Sequence, residues 1–233
     1  MNLIHGQPQS LELLCIAPHP DDAEIGAGGT LIKAAQAGKT VGILELTRGE
    51  LGTLGTPQIR LEETRKAAEI MKLSFRGNLE LPDGNIGLLE DNALTLARAL
   101  RILRPHTLLL PHFQDRHPDH TASYHLGKRA THLAGLAKAA LEGTPHKVNR
   151  VLLYQGNAPL EPTFLVEVSQ QIETWERCVM AHTSQFSGAY VSETVTPDIL
   201  ERRRARMMYW GTFTGVRYAE AFVSETPFLL EGL

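Results

Sequence analysis

An α/β fold with a mainly parallel sheet is predicted by three features of this 233-residue sequence. Short apolar runs alternate with longer segments of helical periodicity, a series that requires crossover connections. Two apolar runs lead directly into clusters of histidine and aspartate. These are His19-Pro20-Asp21-Asp22-Ala23-Glu24 after Ala17-Pro18, and Arg116-His117-Pro118-Asp119-His120 after Pro111-His112. A Gly/Thr-rich loop, Thr47 to Thr56, follows a third run. Ligands of open parallel sheets bind beyond the carboxyl ends of the strands, so the same features place a site there.

Leu11-Glu12-Leu13-Leu14-Cys15-Ile16 reads as a buried strand. A helix is predicted over Gly28–Ala37, with Gly38 at its C-terminal cap. Pro20 and the pair Gly28-Gly29 read as punctuation that lets the chain turn from strand to helix. Thr40–Leu46 is a second strand. Pro57 suits the first position of a helix capped by Thr56 and continuing to Met71. Asn78–Leu81 is a short strand stopped by Pro82-Asp83-Gly84. Asp91–Leu103 is amphipathic, with Leu94, Ala97, Leu100 and Leu103 at helical spacing, and Pro105 ends it. A strand over Thr107–Leu110 and a long helix over Asp119–Ala140 follow. Val151–Gln155 and Phe164–Val168 read as strands. Ser169–Ala181 and Pro197–Trp210 read as helices capped by Ser169 and Thr196. No repeat, low-complexity tract or linker interrupts the chain, so one domain over 1–233 is expected, with a less regular C-terminal lobe from about 150.

A formal net charge of -3 gives no electrostatic case for nucleic acid. Arg202-Arg203-Arg204-Ala205-Arg206 lacks interleaved aromatics and reads as a solvated helix face. Cys15 and Cys178 read as small buried hydrophobes rather than a disulfide or a nucleophile. The first residues lack a basic segment followed by a long apolar one, and no stretch is apolar enough to span a bilayer. A cytoplasmic protein without membrane partners is expected.

Hydrolytic zinc takes three protein ligands from histidine and carboxylate and keeps one position for water. His19, Asp22 and His120 can supply that set. Asp21 is placed to act as general base. His117 can stabilise an oxyanion or donate a proton to a leaving amine, and Asp119 can orient His117 and keep it protonated. In an extended strand Asp21 and Asp22 would point apart, so a turn into a helix is needed to bring both to one site. His5, His106, His125, His132 and His146 read as surface or packing residues. His112 and His182 draw more attention, because they flank the second cluster and a polar loop.

These residues resemble the PIG-L/LmbE-like family of metal-dependent N-acetylglucosamine de-N-acetylases, whose hallmark is Ala-His-Pro-Asp-Asp-x-Glu with a later His-Pro-Asp-His. Similar segments continue in Leu46–Thr53, Asn78–Gly84 and Ser184-Gln185-Phe186, which look most like the bacillithiol-biosynthesis branch. The resemblance implies a Rossmann-like, three-layer LmbE-like fold. It implies Zn2+, or Fe2+, on His19, Asp22 and His120, with Asp21 as base, His117 at the oxyanion and Asp119 behind it. It matches Arg60 to a substrate-contacting arginine. The implied substrate is a small N-acetylated amino sugar, N-acetylglucosaminyl-malate first, and the implied assembly is a homo-hexamer. Pro18 departs from the pattern, standing where the family commonly has Ala before the histidine.

Other N-acetylglucosaminides stay open as substrates, including chitin disaccharides and inositol-linked sugars. So does the choice between Asp21 and His117 as proton donor to the amine. A non-haem iron oxygenase also uses two histidines and a carboxylate, but commonly on an all-β barrel. A non-catalytic metal- or sugar-binding module would need the ligands but neither Asp21 nor His117.

Overall fold

The computed structural model describes residues 1–87, 90–186 and 198–227. The strands are β1 (Asn2–Gly6), β2 (Leu13–Ala17), β3 (Val41–Glu45), β4 (Phe75–Asn78), β5 (Thr107–Pro111), β6 (Arg150–Tyr154), β7 (Phe164–Glu167) and β8 (Ala219–Val223). The helices are α1 (Asp22–Gln36), α2 (Pro57–Met71), α3 (Glu90–Leu103), α4 (Pro118–Gly135), α5 (Ile172–Met180) and α6 (Ile199–Thr212).

Every residue of β2 is buried, as expected for a strand covered on both faces. Alternate side chains of β2 enter different cores. Leu14 and Ile16 join Leu96 and Leu100 of α3 and Leu126 of α4. Leu13, Cys15 and Ala17 join Leu31 of α1, Ala68 of α2 and Val179 of α5. The result is three layers, with the sheet between two sets of helices. Its order is β1-β4-β3-β2-β5-β6-β8-β7. The run from β4 to β6 is parallel. β1 closes one edge antiparallel, and β8 and β7 extend the other edge antiparallel. The strands after residue 150 therefore belong to the same sheet. No helix among the described residues is long and apolar enough to cross a membrane.

Several elements match their expected bounds. α2 starts at Pro57, with the Thr56 hydroxyl accepting from the Ile59 N–H at 3.3 Å. Gly38 follows α1 with φ of +80°, the left-handed geometry that glycine adopts without steric cost.

Others differ. α1 begins at Asp22, so the glycines expected as punctuation lie inside it. A Cβ at Gly26 would come within 2.5 Å of the Tyr154 ring, and one at Gly28 within 2.9 Å of Trp175. Close packing on the sheet and α5 offsets the roughly 1 kcal/mol of helix propensity lost at each glycine. The strand expected over 78–81 lies over Phe75–Asn78 instead. Arg76 looks wrong for a buried strand until its partners are seen: its guanidinium bonds Glu45 at 2.7 Å and Glu24 at 2.6 Å. Leu79 and Leu81 are still buried, but Glu80 between them has φ of +55°.

α4 stops at Gly135 rather than Ala140, because Arg101 of α3 takes the Ala134 carbonyl at 3.0 Å and that of Leu136 at 2.7 Å. Ser169 does not cap α5. It opens a short 3-10 turn, and its hydroxyl accepts from the Tyr218 N–H at 3.1 Å. Thr196 and Pro197, the expected start of the last helix, lie outside the described residues. β1 and β8 were not expected. Both are five-residue edge or near-edge strands whose pairing comes from distant segments.

Candidate active site

A cavity of about 390 Å³ opens beyond the carboxyl ends of the parallel strands. β2 delivers His19, Asp21 and Asp22, β4 delivers Asp83, β5 delivers His117, Asp119 and His120, and β6 delivers Asn157. The loop after β3 supplies Leu51 to Leu54. Its size falls within the ~300–1,000 Å³ usual for small-molecule sites.

Asp21 solves the problem of two adjacent carboxylates. Its φ of 100° and ψ of -26° are left-handed, a conformation that strains a non-glycine residue by about 1–3 kcal/mol. The turn directs Asp21 and Asp22 into the same cavity. Asp22 Oδ2 accepts from the His19 backbone N–H at 3.0 Å and lies 3.0 Å from His19 Nδ1. Asp22 Oδ1 is 3.2 Å from His120 Nε2. Asp21 is buried, and its Oδ2 has no hydrogen-bond partner. Arg60 Nη2 is the near cation, at 3.7 Å. Burial pushes the Asp21 carboxyl up to about 6, and Arg60 opposes that rise.

His117 is the N-cap of α4, and its Nδ1 accepts the Asp119 N–H at 3.2 Å. That bond leaves Nδ1 as an acceptor and puts the proton of the neutral ring on Nε2. Burial, with His19 and His120 nearby, pushes the His117 ring below its usual value. Asp119 was expected to orient His117 and keep it protonated. Its carboxylate instead faces His19 Nε2 at 3.3 Å and accepts the Gly84 N–H at 2.9 Å. The hydrogen bond to His117 comes from the Asp119 backbone, while the Asp119 carboxylate favours the charged ring only through space, outweighed by burial and the neighbouring histidines.

His19, Asp22 and His120 each place a ligand atom within 4.8 Å of the others, as do His19, His117 and Asp119. The donor chemistry fits a metal best on the first set. His120 presents Nε2 to Asp22 while Nδ1 lies 3.3 Å from Asp115, at ion-pair distance without hydrogen-bond alignment. His19 presents Nδ1 to Asp22 while Nε2 meets Asp83 at 3.0 Å. Each imidazole thus has a carboxylate behind the nitrogen that would not bind the ion, the outer-shell arrangement of metal-ligating histidines. Burial opposes charge on both rings, but the carboxylates outweigh it. His19 is held well above its usual value, and His120 is raised to about 9.

Arg60 is buried in the wall. It donates to the Pro20 carbonyl at 2.6 Å and the Gly49 carbonyl at 3.2 Å, so it braces the turn that carries Asp21. The arginine run expected as a solvated face is divided. Arg202 and Arg204 are exposed, whereas Arg203 is buried and lines the cavity. Burial, and Arg206 beside it, lowers Arg203 to about 9.

Asp83, Asp115, Asn157 and Arg203 were missed as site residues. Asp83 read as part of a turn, although a carboxylate just past a strand end was a usable signal. Asp115, two residues before His117, carried a similar one. Asn157 and Arg203 carried none. Of the two histidines that drew attention, His182 bonds Glu24 at 2.9 Å away from the cavity wall, and His112 accepts from the Gln114 N–H at 3.2 Å. Both cysteines are buried, and burial raises both thiols.

The family described as PIG-L, GlcNAc-PI de-N-acetylase, matches residues 14–131. A diacetylchitobiose deacetylase of Thermococcus kodakarensis is 32% identical over 226 residues, covering 90% of this chain and 81% of its own length. A conserved protein of Thermus thermophilus superposes with a TM-score of 0.89 at 50% identity, over 94% of this chain and 97% of the other. The N,N'-diacetylchitobiose deacetylase of Pyrococcus horikoshii shares the fold, with a TM-score of 0.78 at 24% identity, over 93% of this chain and 86% of the other.

Proposed function

Because the chain belongs to the PIG-L family of de-N-acetylases, we propose that it is a metal-dependent hydrolase that cleaves the acetamide of an N-acetylglucosaminide. The observation that carries this reading is the buried Asp21 Oδ2, which has Arg60 at 3.7 Å but accepts no hydrogen bond, beside the set His19, Asp22 and His120. A structural carboxylate would be paired. One that lines a cavity and accepts no hydrogen bond suits a group that takes a proton from a reacting water.

A divalent ion on His19, Asp22 and His120, zinc first and ferrous iron second, supplies Lewis-acid polarisation when bound. Asp21 Oδ2 accepts the proton of the attacking water as the new C–O bond forms. His117 Nε2–H donates to the carbonyl oxygen as it becomes negative. The C–N bond then breaks, acetate leaves, and the proton held by Asp21 passes to the amine. Arg60 holds the Pro20 carbonyl and stands beside Asp21, so we assign it to positioning the base as well as to the substrate-facing wall.

The finer substrate assignment is N-acetylglucosaminyl-malate, supported by the similarity of residues 46–53, 78–84 and 184–186 to the bacillithiol branch. A chitin disaccharide is the second reading, favoured by the relative named as a diacetylchitobiose deacetylase. Free-amine release is measured from both, and from an inositol-linked N-acetylglucosaminide, with metal-loaded and chelated protein. Chelator-sensitive release is expected, fastest with the malate glycoside. Faster release from another glycoside replaces that assignment, and no release from any overturns the deacetylase reading.

A further inference from the structure

We propose that the turn Gln155-Gly156-Asn157 and Arg203 of α6 form a clamp that positions the metal-binding histidine His120 through Asp115. The inference rests on the metal-dependent reading above.

Asp115 stands behind His120, with Oδ2 3.3 Å from Nδ1. Its other acceptor positions are taken by three donors: the His117 N–H at 2.8 Å, the Asn157 N–H at 2.6 Å and Asn157 Nδ2 at 3.2 Å. A carboxylate offers about four acceptor positions, so this one has little freedom to turn away from the ring. Asn157 is held in turn. Arg203 donates to Asn157 Oδ1 at 3.0 Å and to the Gly156 carbonyl at 2.6 Å, and Arg206 bonds the same carbonyl at 2.9 Å. The guanidinium fork spans both acceptors at once, which a lysine ammonium cannot do in that geometry.

Gly156 is the critical clearance. A Cβ there would lie 2.1 Å from Asp115 Oδ2 and 3.1 Å from His120 Nδ1. Its φ is not in the left-handed region, so the demand for glycine comes from the close approach of the carboxylate and ring. Arg203 and Asn157 are positioning residues on this account, since neither touches His120.

The test is metal affinity, read by competition with a chelator and by elemental analysis, on the full chain. Thermal melts of the metal-free proteins check folding. Gly156→Ala and Arg203→Met are each expected to weaken metal binding about tenfold or more, the usual effect of losing an outer-shell partner. Arg203→Lys should recover part of the loss. The double variant Asp115→Asn/Arg203→Met should lose no more than Asp115→Asn alone, because both changes act on one path. Additive losses, or unchanged affinity with a raised KM in Arg203→Met, overturn the clamp. If Gly156→Ala does not fold, Arg203→Met and Asn157→Ala decide the question by the same readout. His120→Ala is the separate control. If it keeps metal as the wild type does, the ligand assignment beneath the clamp fails; if it alone loses metal, only the clamp fails.

Discussion

The first turn of α1 sends carboxylates into two buried surroundings of different character. Asp21 and Asp22 face the cavity, while Glu24 points into the sheet side of the helix. There Glu24 meets Arg76 at 2.6 Å and His182 at 2.9 Å, and Arg76 also holds Glu45 at 2.7 Å. All four side chains are essentially inaccessible, and none lines the cavity. Burial alone would raise the Glu24 carboxyl, yet Arg76 and His182 outweigh it and hold it well below the usual range. Asp21, equally buried, has its nearest cation at 3.7 Å, and burial wins. One cluster spends its charges on itself and stabilises the helix start. The other leaves an acceptor without a hydrogen bond in the lining of the cavity.

Four experiments bear on that contrast. Asp21→Asn preserves the shape and tolerates the left-handed backbone. Turnover should fall about 10²- to 10⁴-fold, the usual range for a general base, with metal content unchanged. Wild-type turnover would remove Asp21 from catalysis and erase the distinction between the clusters. Arg76→Met should instead destabilise the fold by about 3–5 kcal/mol, because it takes the guanidinium from two buried carboxylates and leaves Glu24 only His182 and Glu45 only Asn78. Denaturant unfolding measures this, and a loss below about 1 kcal/mol would mean that the inner cluster does not hold the helix.

His117→Ala should cost about 10²- to 10³-fold in turnover through the lost oxyanion donor. Unchanged metal retention would distinguish it from a ligand, whereas parallel loss of metal would favour the alternative set of His19, His117 and Asp119.

Glu220 tests the smallest effect. It is a third buried carboxylate against α1, accepting from the Gly29 and Thr30 N–H groups at 2.8 Å each. Burial pushes it up to about 7, and those bonds only partly oppose the shift. An unfolded glutamate loses its proton near 4.5, so the folded form binds more protons between that pH and about 7. Its contribution to stability is present below about pH 4.5, falls as pH rises to about 7 and is flat above, a change of about 3 kcal/mol. Glu220→Gln should remove that slope, as read from unfolding midpoints at about pH 5 and about pH 8. An unaltered slope would mean that backbone N–H groups satisfy a buried carboxylate as fully as Arg76 does.

Much of the fold was legible because its signals are local. Thr56-Pro57 marked the start of α2, and the apolar runs at β2, β3, β5 and β6 marked the parallel strands within a residue or two. The structure also gathers His19, Asp21, Asp22, His117, Asp119, His120 and Arg60 around one cavity. All but Arg60 stood in short clusters beside strand ends, where a spacing rule could find them; Arg60 lies within α2 and was singled out only by the family resemblance. β4 was misplaced because Arg76 is acceptable in a buried strand only with Glu24 and Glu45 around it. The α1 glycines misled for a similar reason, since their packing partners Tyr154 and Trp175 lie more than a hundred residues away.

The amino-acid sequence by itself determined the alternating α/β layout and the two clusters of ligand-forming side chains. Periodicity, capping and turn chemistry act over a few residues and need no distant partner. Only the tertiary structure decided which nitrogen of each histidine faces the shared carboxylate, that Asp119 turns to His19, and that Arg203 is buried while Arg202 is not. Those outcomes depend on desolvation and on hydrogen bonds between segments far apart in the chain. Their energies exist only once the sheet has brought those segments together.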